Sequence, residues 1–359
     1  MLSTRPDGAT ATLPDAPERI LVIRLGALGD VVRTRFAFSG VRARYPEARI
    51  DWLVEDRSAD GLCGIRDLDR VVQVPRRALR WGSPFRAARL LRRVIRELRA
   101  ERYDLSLDFH SILKSALLAS AARIPVRIGY GAPLAREGAA RLLTHPVELD
   151  RTYLSRFERN QALVRFVGGE VPNTAPALAL PSGAGASLGE LPRDFVVIHP
   201  GTSRTTLYKR WEPEHFAVVA RELHDKHDVQ ALITWGPVRG EREMAEQIVA
   251  AAGKGARLAP ATLDMAEILA LFSRARLFVG CDSGPMHLAA LAGLPLVVLL
   301  GPTDPVENAP FPGVPSRVVR RDVGCNPCRE GCPARTCMAA LEPVDVLAAA
   351  GELLAGPTP

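Results

Sequence analysis

Residues 22–32 read VIRLGALGDVV: an apolar run, glycines at 26 and 29, then Asp30 where the next helix should begin. A strand that runs through a glycine turn into a helix opens a βα unit. Such turns usually hold phosphate, because helix N-terminal amides point at an anion and glycine lets the backbone approach it. A carboxylate occupies that place here and would repel a phosphate. At a helix N-terminus Asp30 is kept ionised by the helix dipole, and it is suited to take a proton from a hydroxyl that the glycines admit. An aspartate at this position also fits a plain N-cap.

Working outward, the apolar run belongs to RILVIRL (19–25), and RIDWLVE (49–55), RVVQV (70–74) and the alternating YDLSLDF (103–109) follow it. Helical periodicity lies at 31–44, 85–101, 111–122 and 153–168. Strand alternating with helix predicts a parallel sheet with helices on both faces. The stretch EVPNTAPALALPSGAGASLGELPRD (170–194) is dense in Pro, Gly, Ala and Ser and reads as a linker with one short strand. The pattern then restarts with FVVIH (195–199), a helix from Pro213, VQALITW (229–235), helices from Glu241 and Asp264, RLFVGC (276–281), a helix after Gly284 and LPLVVLLG (294–301). A helix from Pro343 to Leu354 ends it. The fold class is therefore α/β, with two Rossmann-like doubly wound domains facing across a cleft. The expected layout is a disordered tail over 1–19, an N-terminal domain over 20–170, a linker over 171–193 and a C-terminal domain over 194–359.

Composition narrows the function. With 359 residues, 47% hydrophobic and 24% charged, the chain is an ordinary globular one large enough for two cores. No apolar stretch nears the roughly 20 residues that span a bilayer, and the start lacks a signal peptide, so the expected location is the cytoplasm. The net charge of +7 is uneven: residues 1–170 carry 30 Lys and Arg against 20 Asp and Glu, and residues 171–359 carry 17 against 20. The front half should therefore meet something anionic. Sparse aromatics and the lack of a recognised module argue against nucleic acid, and the lack of G-x-G-x-x-G argues against a dehydrogenase.

Two back-half motifs carry chemistry. His199-Pro200-Gly201-Thr202-Ser203 ends a strand, and Lys209 and Arg210 follow in YKRW. Hydroxyls and amides for geometry with an ammonium and a guanidinium for charge make a diphosphate clamp; alone, the Lys-Arg pair would also fit a solvated helix start. LFVGCDSGPMHLAALAG (277–293) delivers Asp282 to a strand end, turns at Ser283 and Gly284, and enters a helix at Pro285 that carries His287. No acid occupies that first helical turn, so this is the phosphate loop that the first motif is not.

In order and spacing, IRLGALGDVV, IHPGTS with KRW, GCDSGPMHLAALAG and the cysteine-bearing CNPC…CPARTCM resemble the ADP-heptose:lipopolysaccharide heptosyltransferases of glycosyltransferase family nine, over nearly the whole chain from residue 20. The resemblance implies a GT-B fold and inverting transfer of heptose from ADP-L-glycero-D-manno-heptose to a Kdo- or heptose-bearing inner-core acceptor. It implies neither a cofactor nor a catalytic metal. By its motifs Asp30 is the catalytic base, and Lys209 serves both catalysis and donor binding. The donor set is Thr202, Ser203, Lys209, Arg210, Glu241, Leu263, Asp282, Ser283, Gly284 and His287. On the acceptor side Gly29, Arg33, Arg35, Lys114 and Arg127 are the candidates. The expected partners are an ADP-sugar, an anionic core acceptor and, transiently, the cytoplasmic face of the inner membrane.

WGSPFRAARLLRRVIRELRAERY (81–103) reads as a basic amphipathic helix with Phe85, Ala88, Leu91, Ile95 and Leu98 on one face, suited either to an anionic bilayer or to ordinary packing with a solvated face. Cys325, Cys328, Cys332 and Cys337 fit either a structural metal site or plain thiols or a local disulfide. Rival functions are a GT-B transferase for another nucleotide sugar and a non-catalytic nucleotide or glycan binder. The joint presence of Asp30, Lys209 and the 282–287 element favours an enzyme over a binder.

Overall fold

The computed structural model describes residues 12–76, 83–149, 154–262, 264–328 and 330–355. The chain divides into two compact units, with the break between Pro172 and Asn173.

The first unit holds six parallel strands, β1 (Arg19–Ile23), β2 (Arg49–Glu55), β3 (Arg70–Val74), β4 (Leu105–Asp108), β5 (Val126–Tyr130) and β6 (His145–Val147), in the order β3-β2-β1-β4-β5-β6. Its helices are α1 (Leu28–Arg44), α2 (Pro84–Glu101), α3 (Leu113–Ala121) and α4 (Arg156–Phe166). Ile20, Leu21, Val22 and Ile23 are all fully buried. Helices cover both faces of the sheet, so β1 needs the near-continuous apolar run seen in the sequence. Ile20 and Val22 face one core and Leu21 and Ile23 the other.

The second unit repeats the plan with β7 (Phe195–His199), β8 (Gln230–Ile233), β9 (Ala256–Leu258), β10 (Phe278–Cys281), β11 (Leu296–Leu299) and β12 (Ser316–Val319), in the order β12-β11-β10-β7-β8-β9. All pairings are parallel. Its helices are α5 (Pro213–His227), α6 (Glu241–Ala252), α7 (Met265–Phe272), α8 (Gly284–Leu291), the short α9 (Thr336–Ala339) and α10 (Pro343–Leu354).

Three expectations need correction. Strand β1 begins at Arg19, and the amides of Glu18 and Arg19 both donate to Asp104, so ordered structure starts before residue 20. The Pro/Gly-rich stretch is no free linker. From Asn173 it counts with the second unit, where Leu188 is buried and the Ser187 hydroxyl donates to Glu267. It forms a 3-10 turn at Ala186–Leu188, and no strand among the described residues falls there. Strands β5, β6, β9 and β12 carry no clear sequence signal: VRIGY, HPV, ARL and SRVV are interrupted by Arg, Gly or Pro and lack an apolar run.

Where α1 meets the chain beyond α4, a Cβ on Gly40 would stand 2.6 Å from the Glu170 carbonyl oxygen and 2.9 Å from Val164. Alanine would gain about 1 kcal/mol of helix propensity there, but overpacking typically costs about 1–3 kcal/mol, and a backbone carbonyl yields least. Gly40→Ala should therefore show a net loss of about 1 kcal/mol in urea unfolding, against the helix-propensity trend.

Candidate active site

Strand order reverses between β1 and β4 in the first unit and between β7 and β10 in the second. In open α/β sheets ligands bind beyond the carboxyl ends of the strands at such a switch point. At the first one the chain leaves β1 at Arg24 and enters α1, whose N-cap is Ala27 with no side-chain cap. Asp30 sits in the first turn but caps nothing, which removes the plain-cap reading. Its carboxylate instead gathers three guanidiniums. Arg24 Nη2 lies 2.5 Å from Oδ2; Arg33 Nη2 and Arg156 Nη1 lie 2.8 and 3.0 Å from Oδ1. Burial opposes the charge, but Arg24, Arg33 and Arg156 outweigh it and hold the carboxyl well below the ordinary carboxylate range.

Around this cluster lie the ends of β2 and β4. Buried Glu55 receives Lys114 at 3.0 Å, Arg76 at 2.8 Å and Arg57 at 3.2 Å. Burial pushes its carboxyl up, yet the hydrogen bonds from Arg76 and Lys114 prevail and lower it. Asp108, wholly buried, is pushed up to about 6 against hydrogen bonds from Ser115, Ser111 and His110. His110 is pushed down to about 3 by burial and by Arg24, so it is neutral at physiological pH. Its buried Nδ1 has no hydrogen-bond partner among the described residues.

The second switch point is built differently. Lys209, in a 3-10 turn after β7, places Nζ 2.8 Å from Asp282 Oδ2 at the end of β10. Arg210 reaches Glu241 Oε1 at 2.8 Å and the Thr202 carbonyl at 3.2 Å. Ser283 is the N-cap of α8, yet its buried hydroxyl makes no hydrogen bond among the described residues. A Cβ on Gly284, the first residue of α8, would meet nothing within 4 Å. Open space, free helix amides and an unspent hydroxyl are what an anion requires. At the adjacent end of β11, the buried Thr303 hydroxyl also has no partner among the described residues. His287 is buried within α8, and β7 ends at His199, pushed down to about 4 by burial and bonded to Thr234.

Several expected contacts are reassigned. Arg35 is 1% exposed and bonds the Gly61 and Cys63 carbonyls, so it braces the core rather than meeting an acceptor. Arg127 stands at the amino end of β5, opposite the switch point, and bonds the Leu142 and Ile124 carbonyls. Glu241 is 2% exposed and spends both oxygens on Arg210 and the Gly236 amide. Thr202 bonds Thr206 and Arg210, whereas Ser203 is exposed. Arg33 stays at the site as a partner of Asp30, Lys114 lies near Glu55, and Gly29 is the residue before Asp30 in α1. Leu263 lies outside the described residues. Among the described residues no three His, Cys, Asp or Glu side chains are grouped to hold a metal, and Cys325, Cys328 and Cys332 are exposed free thiols.

Arg24, Arg156, Glu55, His110 and Thr303 escape a reading of motifs. Arg24 had a signal, a charge just past an apolar strand; Arg156 comes from 126 residues away and had none.

Two Rossmann-like units, each a six-stranded parallel sheet flanked by helices, have the GT-B architecture found in glycosyltransferases. The sequence profile of glycosyltransferase family 9 (heptosyltransferase) matches residues 91–337. The chain is 28% identical to lipopolysaccharide heptosyltransferase 1 of Escherichia coli K12 over 296 residues, 80% of this chain and 89% of that one. It also superposes on two solved structures. One is E. coli ADP-heptose lps heptosyltransferase II, with TM-score 0.71, 25% identity and coverage of 94% and 98%. The other is E. coli heptosyltransferase WaaC with ADP-2-deoxy-2-fluoro heptose, with TM-score 0.71, 23% identity and coverage of 93% and 99%. The chain belongs to glycosyltransferase family 9, the heptosyltransferases, and is a glycosyltransferase.

Asparagine at position 30 would leave three guanidiniums without their counter-charge. Removing one partner of a buried pair typically costs about 3–5 kcal/mol, so Asp30→Asn should lower stability by an amount near that range at pH 7. The folded carboxyl lies below its unfolded value of about 3.9, so this contribution is complete above that pH and is lost only as pH falls through the folded value. Urea unfolding should show the same deficit at pH 7 and pH 5; a deficit that shrinks by half between them would contradict the assignment.

Proposed function

We propose that this chain transfers a heptosyl group from ADP-L-glycero-D-manno-heptose to a hydroxyl of a Kdo- or heptose-bearing lipopolysaccharide inner core, with inversion and without a metal. The protein is read as a peripheral enzyme of the cytoplasmic membrane face. The observation that carries the reading is the α8 start, where the unspent Ser283 hydroxyl and the open Gly284 turn accompany Lys209 and Arg210. There the diphosphate of the donor would sit. As the anomeric C–O bond breaks, negative charge grows on the departing ADP, and Lys209, Arg210 and the helix amides stabilise it.

The acceptor hydroxyl attacks the anomeric carbon from the opposite face and yields its proton to Asp30. Under three guanidiniums Asp30 is a weak base. An acceptor bearing carboxylates or phosphates relieves this by drawing arginines from Asp30 to itself. Arg156, with 36% of its side chain exposed, is the most accessible of the three. An anionic acceptor would thus raise the basicity of the group that must deprotonate it.

The test is transfer measured by mass spectrometry with a panel of nucleotide sugars and a Kdo-bearing acceptor. ADP-heptose should be consumed in the presence of EDTA; use of a uridine or guanosine sugar instead, or binding without turnover, would overturn the reading. Lys209→Ala should lower kcat/KM by about 10²–10³. In Asp30→Asn that remains folded by circular dichroism, kcat should fall by about 10²–10⁴ while donor affinity holds.

A further inference from the structure

The outer face of α2 is lined with arginine. Phe85, Arg89, Arg92, Arg96 and Arg99 follow at spacings of four, three, four and three, so they form one line along the helix, flanked by Arg86 and Arg93. All seven side chains are exposed. The sequence pattern placed Phe85 on the apolar face, but it is 89% exposed and lies at the head of the arginine line. Val94 and Leu98 are buried instead, with Leu91 and Ile95 packed beside them against the sheet.

Among the described residues no carboxylate neutralises this line. The acids of α2, Glu97 and Glu101, lie on its flank and are bound by Arg70, with Arg19 and Arg49 also on Glu101. Among the described residues, Arg86, Arg89, Arg92, Arg93, Arg96 and Arg99 make no ion pair. Like charges three and four apart on a helix repel one another modestly, and an anionic partner would relieve that repulsion.

A second feature adjoins the first. Helix α3 contributes Leu118 and Ala119 to the same core layer as α2, and Arg99 Nε donates to the Ala121 carbonyl at the end of α3. On α3, Leu113 and Leu117 are one turn apart and 37% and 48% exposed. Both helices return from the carboxyl ends of parallel strands, β3 and β4, so Phe85 and Leu113 lie at the same end of the sheet as Asp30 and Lys114.

We propose that this face, the arginine line of α2 with Phe85 and the Leu113–Leu117 pair, docks the enzyme on an anionic phospholipid bilayer. The arginines meet lipid phosphates, and the three apolar side chains enter the headgroup boundary. The inference deepens the reading of a lipid-borne acceptor and rests on it for its purpose: docking at this end presents the Asp30 side of the first unit to sugars projecting from the membrane.

The experiment is co-sedimentation of the full chain with vesicles of phosphatidylcholine alone or mixed with phosphatidylglycerol, without donor or acceptor. The wild type should bind only the mixed vesicles and should be released near ~1 M salt, where the Debye length is about 3 Å. Each charge removed should weaken binding about fivefold, so Arg89→Gln/Arg92→Gln/Arg96→Gln should weaken it about 10²-fold. Phe85→Ala should weaken it about tenfold. Arg221→Gln/Lys254→Gln/Arg257→Gln on the second unit changes net charge equally and should bind as wild type does. All these positions are exposed, so circular dichroism and melting should be unchanged. Equal binding by both triple variants, or binding to phosphatidylcholine alone, would overturn the proposal. So would an arginine-dependent preference for a single-stranded RNA, which would reassign the face to nucleic acid. Vesicle binding is read without turnover, so failure of heptose transfer leaves this result standing, and the converse also holds. If both hold, the α2 variant should keep its turnover on a delipidated acceptor and lose it on one embedded in vesicles.

Discussion

Reversal of strand order beside β1 and beside β7 is the constraint from which the rest of the molecule follows. Where neighbouring strands send their connections to opposite faces, the loops diverge and leave a crevice at the carboxyl edge of the sheet. Both units obey this rule, and what distinguishes them is the side chain that the first turn presents. The first unit sets a carboxylate there and surrounds it with arginine. The second sets Ser283, Gly284 and a bare helix start there, with Lys209 tied to Asp282 alongside.

The charges fit that division. Lys209 and Arg210 are each held by one carboxylate, through Asp282 and Glu241, at 2.8 Å. A cation held in this way is pre-organised for a phosphate and reorganises little when charge develops nearby. Asp30 is the converse case, an anion under excess positive charge. The arrangement keeps it ionised, and in the proposed role of base its reactivity would depend on what else binds the arginines. The surplus of positive charge in the first 170 residues gathers at two places: the neighbourhood of Asp30, and the outer face of α2.

Much of this was legible in the sequence because glycines, prolines and apolar runs act locally. The β1 run, the turn at Gly26 and Gly29, and the Asp282–His287 element each lie within about twenty residues and could be read as written. Long-range partnership could not be read. Nothing near Asp30 announces Arg156, and nothing in the spacing of Arg35 or Arg127 tells that backbone carbonyls consume their guanidiniums. Glu241 is expected at the donor from the family pattern, and nothing in its spacing tells that Arg210 and the Gly236 amide take up both its oxygens. Phe85 was misplaced because a helical period cannot fix where the buried stripe ends at a first turn. The family profile begins at residue 91, so Asp30 rests on its motif and its geometry alone.

The central claim is that the donor is held by the second unit and proton removal belongs to the first. Amide hydrogen exchange with and without ADP tests it most directly, since bound ligand slows exchange where it covers the backbone. Protection should rise over residues 201–210 and 282–287 and leave 24–33 unchanged. Protection over 24–33 with none at 282–287 would place the diphosphate at the Asp30 turn and contradict the account.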